Sequence, residues 1–473
     1  MPTMRHTLSS PSVRLFRALA SLTLLVAPLL AHAQSAVSTV VAFSATEPNG
    51  GIVLGGDGGY YGTTSSSSTV TGGLIYRTST DGTQVRTIYQ LSNTEAYAPL
   101  AGLLAGSDGV LYGTTSLGAV GVEAATAGTV FSIKTDGKGF TILHRFAPVT
   151  ATNVNQNAIN ADGAYPETAL IEGSDGFLYG VTRAGGPNGT GAVFKASRDG
   201  TSFKVLHTFG AVTSDANAAS PINLDGAAPL GLLLQGADGF LYGTTSVGGV
   251  NGRGTIFRVG SDGSGFLVQH VFAALPDSAS APANVGGASP LAGLTDGKDG
   301  RFYGVASGGG ANGVGTIFSF DPVGRVFSVM RNFEVSNGDT PAGAMILGLD
   351  SRLYGTTASG GTTSNGGKSN LGTIFSIARD GTGFTKLYSF ESAQGANPRG
   401  RLLQTNATTF IGVATDAGRC GQGTIFQYSS TGATVVGDTG CGQKKSNKGG
   451  GTTTPAVLLL IGTLGLARAW RRR

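Results

Sequence analysis

Asp238-Gly239-Phe240-Leu241-Tyr242-Gly243-Thr244-Thr245, followed by Gly254-Thr255-Ile256-Phe257 and Asp262-Gly263-Ser264-Gly265-Phe266, is the stretch that decides the fold. Four strand-like runs can be read around it: Leu230 to Leu234, Gly239 to Thr245, Gly254 to Val259 and Phe266 to Phe272. Asp238-Gly239 separates the first two, and Asp262-Gly263-Ser264-Gly265 the last two. Asp-Gly between apolar runs is a strong hairpin signal, because glycine reaches positive φ without penalty. Pro229 opens the first run, where a missing N–H costs least. Pro99, Pro166, Pro290, Pro341 and Pro398 repeat that placement.

The unit recurs along the chain. Tyr-Gly pairs stand at Tyr61, Tyr112, Tyr179, Tyr242, Tyr303 and Tyr354, with a degenerate seventh copy at Ile411-Gly412. The steps are 51, 67, 63, 61, 51 and 57 residues. A Gly-Thr-Ile/Val-Phe signature follows at Gly128, Gly254, Gly315, Gly372 and Gly423, with variants at Gly73 and Gly191. Seven units of four short strands predict an all-β fold, a seven-bladed β-propeller of four-stranded antiparallel blades. A linear β-solenoid is the competing architecture, but its repeats are usually shorter. The 79 glycines argue against long helices. A hydrophobic content of 40% argues against disorder.

Asp-Gly-x-Leu-Tyr-Gly-Thr-Thr at Asp238 to Thr245, with the pattern from Gly254 to Phe266, resembles the GloVer tandem repeat of bacterial surface proteins with a choice of C-terminal anchor. The resemblance covers about residues 50 to 430. It implies an exported, anchored repeat protein and carries over no catalytic residue.

Both ends read as processing segments. Residues 1–33 form a signal peptide: Arg5, Arg14 and Arg17 precede an apolar run from Ala18 to Leu30, and Ala31-His32-Ala33 is an A-x-A cleavage site ending at Ala33. Residues 34–443 are the repeat domain, 444–454 a Lys/Gly/Thr linker, and 455–473 a hydrophobic anchor or sorting segment. Pro455 to Ala467 offers about 20 Å of helix against a bilayer core of roughly 30 Å. The Gly449-Gly450-Gly451 run, the apolar stretch and the basic end resemble bacterial GlyGly C-terminal sorting signals, processed by rhomboid-type proteases. The implied partners are the export machinery, a sorting protease and, at least transiently, a membrane. Cell surface, outer envelope or extracellular space is the expected address.

The net charge of +5 belongs to these tails. Gln34 to Gln443 holds 22 basic and 27 acidic residues, a net charge of −5. The body has no basic excess to neutralise phosphates, which argues against a nucleic-acid partner.

Cys420 and Cys441 flank the last expected hairpin, Gly423 to Tyr428 and Ala433 to Val436. Their spacing and an oxidising compartment predict a disulfide. Val37 to Phe43 also resembles a fourth strand, so two candidates compete for the outer edge of the last blade.

The search for chemistry returns mainly repeated slots. Fifteen of 27 carboxylates occupy recurring positions, among them first-turn aspartates such as Asp57 and Asp238 and pre-proline aspartates Asp162, Asp225 and Asp339. A catalytic pair needs unique environments with pKa values driven apart. His144, His207 and His270 recur at 63-residue steps and are expected on separate blades. No metal or cofactor motif stands out. The second-to-third loops and blade connections are long and irregular, and binding usually lives on such loops. Candidate ligand-binding residues there are Arg183, Asn188, Asn251, Arg253, Asn312, Asn365, Lys368 and Arg419. The favoured expectation is a non-catalytic binding or scaffolding module for a glycan, matrix or protein partner. The alternatives are a secreted polysaccharide hydrolase or lyase and a purely structural surface protein.

Overall fold

Alternation of apolar and small residues between tight turns makes each unit a twisted antiparallel sheet. A computed structural model describes residues 36–43, 46–65, 72–79, 85–118, 126–153, 157–213, 220–275, 284–363 and 366–431. Both terminal segments, including the Ala33 site and residues 444–473, lie outside the described residues. Among the described residues, no helix is long and apolar enough to cross a membrane. The architecture is the expected seven-bladed propeller, all-β, with four-stranded antiparallel blades.

Blade 4 contains Leu241–Val247, Thr255–Val259 and Leu267–Val271 as its outer three strands. Its innermost strand differs from expectation. It is split into Ala227–Pro229 and Leu234–Gln235, both paired with the second strand. Between the pieces the chain turns to the neighbouring blade. A Cβ on Gly231 would sit 2.8 Å from the Ala292 carbonyl oxygen, and Thr244 Oγ1 donates to that oxygen at 3.0 Å.

Each blade buries its faces against its neighbours. Tyr179, Val193 and Phe209 of blade 3 pack with Leu233, Leu241 and Phe257 of blade 4, all nearly or fully buried. Burial of such side chains contributes roughly 1.5–3 kcal/mol each. The cores therefore lie between blades, and stability depends on the ring being complete.

The ring is closed by the start of the chain. Ala36–Ala42 pairs antiparallel with Thr424–Ser429, from Ala36 opposite Ser429 to Ala42 opposite Thr424. The last blade thus takes three strands from the C-terminal unit and its outermost strand from the N-terminus. This answers which candidate forms the edge. The competing Ala433 to Val436 lies outside the described residues, as does Cys441. The expected Cys420–Cys441 pairing thus falls partly outside the described residues, among which there is no free cysteine.

Candidate functional site

The motif residues are taken up by architecture. In six blades the Tyr-Gly tyrosine donates its phenol proton to the aspartate four residues earlier, as in Tyr61 to Asp57, Tyr112 to Asp108 and Tyr242 to Asp238, at 2.6 to 2.7 Å. Burial and then the aspartate push the Tyr242 phenol up to about 12, so it remains a donor. Burial raises the Asp108 pKa, but hydrogen bonds from Tyr112 and Val110 and the charge of Arg198 outweigh it and leave the carboxyl below its ordinary value. The neighbouring glycine makes room for the signature phenylalanine: a Cβ on Gly243 would lie 2.5 Å from Phe257 Cζ. The signature glycine meets the next blade's opening proline, with a Cβ on Gly128 placed 2.6 Å from Pro166 Cδ. Threonines complete the unit, with Thr63 and Thr114 donating across blade boundaries to the Ala101 and Thr168 carbonyls.

The three histidines lie on the outermost strands of blades 2, 3 and 4. Each stacks on an aromatic ring of the next blade: His144 on Phe203, His207 on Phe266 and His270 on Phe327, at centroid separations of 3.4, 3.5 and 3.9 Å. His144 Nε2 is 2.8 Å from Asp162 and His207 Nε2 is 3.1 Å from Asp225. Blade 5 has Gly286 at the corresponding position, so His270 lacks that carboxylate. Burial alone pushes the His270 pKa down to about 4. The unfolded chain binds the proton near pH 6.5 and the folded one only near pH 4. The unfolded state therefore holds more protons in that window, and stability falls as pH drops through it. Urea unfolding is expected to lose up to ~3 kcal/mol from this group between pH 7 and pH 4. His270→Gln should flatten that part of the profile.

At the loop end, asparagines tie blades 3 to 5 into one hydrogen-bonded belt. Asn160 Nδ2 donates to the Ala147 and Gly163 carbonyls, while its Oδ1 accepts from Gly163 and Gly186. Asn223 makes the same set with Gly210, Gly226 and Gly249. Asn284 repeats it with Ala273, Gly287 and Gly310. Sequence reasoning missed these three residues; the available signal was Asn three positions before a glycine in each connection. Four hydrogen bonds per amide leave these loops little freedom.

Three candidate binding residues belong to this belt. Asn188, Asn251 and Asn312 donate to the Phe209, Phe272 and Phe333 carbonyls at 2.9, 3.0 and 2.8 Å. Their amides therefore cap strand ends. Arg183 pairs with Glu167 at 3.1 Å and lies over the Tyr165 ring. Arg253 has partners within the protein, and its carbonyl accepts from Ser289 N. Lys368 and Arg419 are exposed on the loops of blades 6 and 7. Asn365 lies outside the described residues. The seven described candidates are thus spread over five blades and converge on no single pocket.

Three large aliphatic side chains on the belt stand open to solvent. Leu224, inside the Asn223 turn, is 81% exposed, Val250 is 55% exposed and Val285, inside the Asn284 turn, is 89% exposed. Asn223 Oδ1 accepts from Gly249 N, which ties the Leu224 turn to the Val250 loop. Among the described residues, no three His, Cys, Asp or Glu side chains converge as metal ligands.

Comparison with solved structures returns propellers. An oligogalacturonate lyase in complex with manganese aligns over 84% of this chain and 94% of its own, at 9% identity and a TM-score of 0.50. An oligogalacturonate lyase from Vibrio parahaemolyticus covers 83% and 93%, at 10% identity and a TM-score of 0.47. The GH74 xyloglucanase from Xanthomonas campestris covers 80% of this chain, at 15% identity and a TM-score of 0.48, and the chain spans about half of that enzyme, 52%. At such identities the likeness is one of fold. No curated protein sequence matches the chain. The Gloeobacter/Verrucomicrobia repeat model, by contrast, matches residues 30–222 and 150–364. The repeats described above are those of that family, and the chain belongs to it.

Proposed function

We propose that this protein is an exported, surface-anchored propeller that uses its loop face as a non-catalytic binding module for a protein partner. The carrying observation is the exposed aliphatic set Leu224, Val250 and Val285 on loops stiffened by the asparagine belt. Apolar side chains held rigidly in water favour a partner that covers them. Little conformational entropy is lost when it does. A protein surface fits this better than a glycan, which asks for aromatic platforms and convergent polar groups.

Chain direction supports an outward-facing site. The strand Thr424–Ser429 runs from the loop end to the tight-turn end, and Ala36 lies opposite Ser429. The described chain therefore enters and leaves at the tight-turn end. In this reading the 444–454 linker and the segment after it tether that end to the envelope, with the loop face turned outward.

The test is a comparison of the full chain with the triple variant Leu224→Asp, Val250→Asp, Val285→Asp. Surface cross-linking followed by purified-partner titration is expected to show at least tenfold weaker binding by the variant, with an unchanged unfolding midpoint. Equal binding by both, or binding only on a glycan array, contradicts this reading.

A further inference from the structure

One position on the outer strands changes its chemistry in blade 5. Arg331 lies on Val326–Asn332, the outermost strand of that blade, opposite Ile317. His144, His207 and His270 hold the same register position in blades 2 to 4, opposite Val130, Val193 and Ile256. Arg331 keeps their packing, with its guanidinium carbon 4.9 Å from the centre of the Phe384 ring of blade 6. In blades 2 and 3 the histidine meets an aspartate four residues before the next opening proline, and that carboxylate also accepts from the backbone N of Ala147 or Gly210. After blade 5 the same place holds Asn337, whose Oδ1 accepts from Glu334 N at 3.0 Å. The amide has only its NH2 left, a donor where blades 2 and 3 present an acceptor.

Arg331 is left unmatched by this exchange. Its Nε is buried without an acceptor, and among the described residues its guanidinium enters no hydrogen bond or ion pair. The side chain lines a cavity of about 320 Å³ at the loop end of the strand, with Val329, Met330, Asn332, Glu334 and, from the second-to-third loop, Asn312. Asn332 Oδ1 accepts from Ala311 N at 2.8 Å, which leaves its NH2 as a donor. Asn312 Nδ2 donates to the Phe333 carbonyl at 2.8 Å, which leaves its own carbonyl as an acceptor. Glu334 is exposed and adds carboxylate oxygens to the lining. A buried N–H on a charged group is costly until an acceptor reaches it.

We propose that this cavity on the outer rim of blade 5 is a binding site for a small hydroxylated carboxylic acid, about the size of a single sugar acid, whose carboxylate is held by Arg331. Guanidinium suits a carboxylate through paired N–H donors. The Asn312 carbonyl and the Glu334 carboxylate accept from hydroxyls, and Val329 and Met330 cover the carbon skeleton. The volume is at the lower end of small-ligand pockets, which start near roughly 300 Å³. Blades 2 and 3 cannot offer the same site, because Asp162 and Asp225 already occupy the cation's place of attachment. The site stands or falls separately from the loop-face reading.

The experiment is calorimetric titration of the full chain with sodium glucuronate against sodium chloride of equal ionic strength. Saturable binding at one site per chain is expected, with glucose at least tenfold weaker because it lacks the carboxylate. Arg331→Gln should weaken glucuronate binding at least tenfold, and Arg86→Met, at an exposed outer-strand arginine of blade 1, not at all. Asn337→Asp is the sharper variant. It restores the carboxylate that blades 2 and 3 place beside the outer-strand cation, so it should block the site at least tenfold while melting no lower than the parent. It also keeps the test open if Arg331→Gln does not fold. A uronate-ended disaccharide, titrated in parallel, separates a free acid from the end of a sugar chain, and Arg331-dependent binding of either supports the site. No saturable binding by the parent, glucose bound as tightly as glucuronate, or undiminished binding by Arg331→Gln or Asn337→Asp overturns it.

Discussion

Deletion of residues 34–43 is expected to abolish cooperative folding or to lower stability by ~6 kcal/mol. The deleted strand buries Val37, Val40 and Val41, which are 9%, 2% and 6% exposed. At roughly 1.5–3 kcal/mol each, these three side chains alone rival a typical domain stability of about 5–15 kcal/mol. The deletion also leaves the edge of Thr424–Ser429 unpaired, and an open edge invites association with other chains. Size-exclusion chromatography should therefore show aggregated or expanded protein. A synthetic peptide of residues 34–43 added in excess should recover part of the native signal. A monomeric deletion variant with the parent's urea midpoint would show that blade 7 does not need this strand.

The second large effect is expected at Gly243. Gly243→Val places carbon atoms where Phe257 and Leu233 already sit, since even the first would be 2.5 Å from Phe257 Cζ and 2.9 Å from Leu233 Cδ2. Overpacking by about a methylene already costs roughly 1–3 kcal/mol. A branched side chain between two rigid sheets should exceed ~3 kcal/mol and prevent folding at 37 °C. Phe257→Ala should partly rescue it by vacating the space. Gly239 is the control. Its φ is +81° and a Cβ there meets nothing within 4 Å, so Gly239→Ala should cost only about 1 kcal/mol of backbone strain. Urea midpoints of the three variants separate a glycine kept for space from a glycine kept for conformation.

The contrast between these glycines shows what was legible in the sequence. Tyr-Gly and Gly-Thr-Ile-Phe could be counted because each unit solves the same packing problem, one ring seated over one glycine. Strand order followed from Asp-Gly turns and opening prolines, which are local signals. The broken inner strand of blade 4 was not legible. Leu230 to Leu233 looks like a strand, yet Gly231 gives up the ladder to press against blade 5. That trade depends on a neighbour 61 residues away. The closing strand was half legible: Val37 to Phe43 has a strand pattern, but nothing local distinguishes it from Ala433 to Val436.

The candidate site was legible only in outline. Irregular loops marked the variable end of the blades, but loop polarity was a poor guide to free groups. Asn188, Asn251 and Asn312 look like ligand donors in sequence and are occupied by phenylalanine carbonyls in the fold. Asn160, Asn223 and Asn284 were passed over because each sits in a plain Asn-x-Asp/Gly-Gly turn. Leu224 and Val285 in those turns would ordinarily be assigned to a core, and only the fold shows them in solvent.

The central claim is that seven repeats form one ring whose seam is the pairing of the two ends of the body. Hydrogen exchange read by mass spectrometry tests it directly on the full chain, by following the peptides spanning residues 36–42 and 424–429. The account predicts that both are protected, and that both exchange only with global unfolding as urea is raised. Rapid exchange of residues 36–42 while the other blades stay protected would contradict the closed ring.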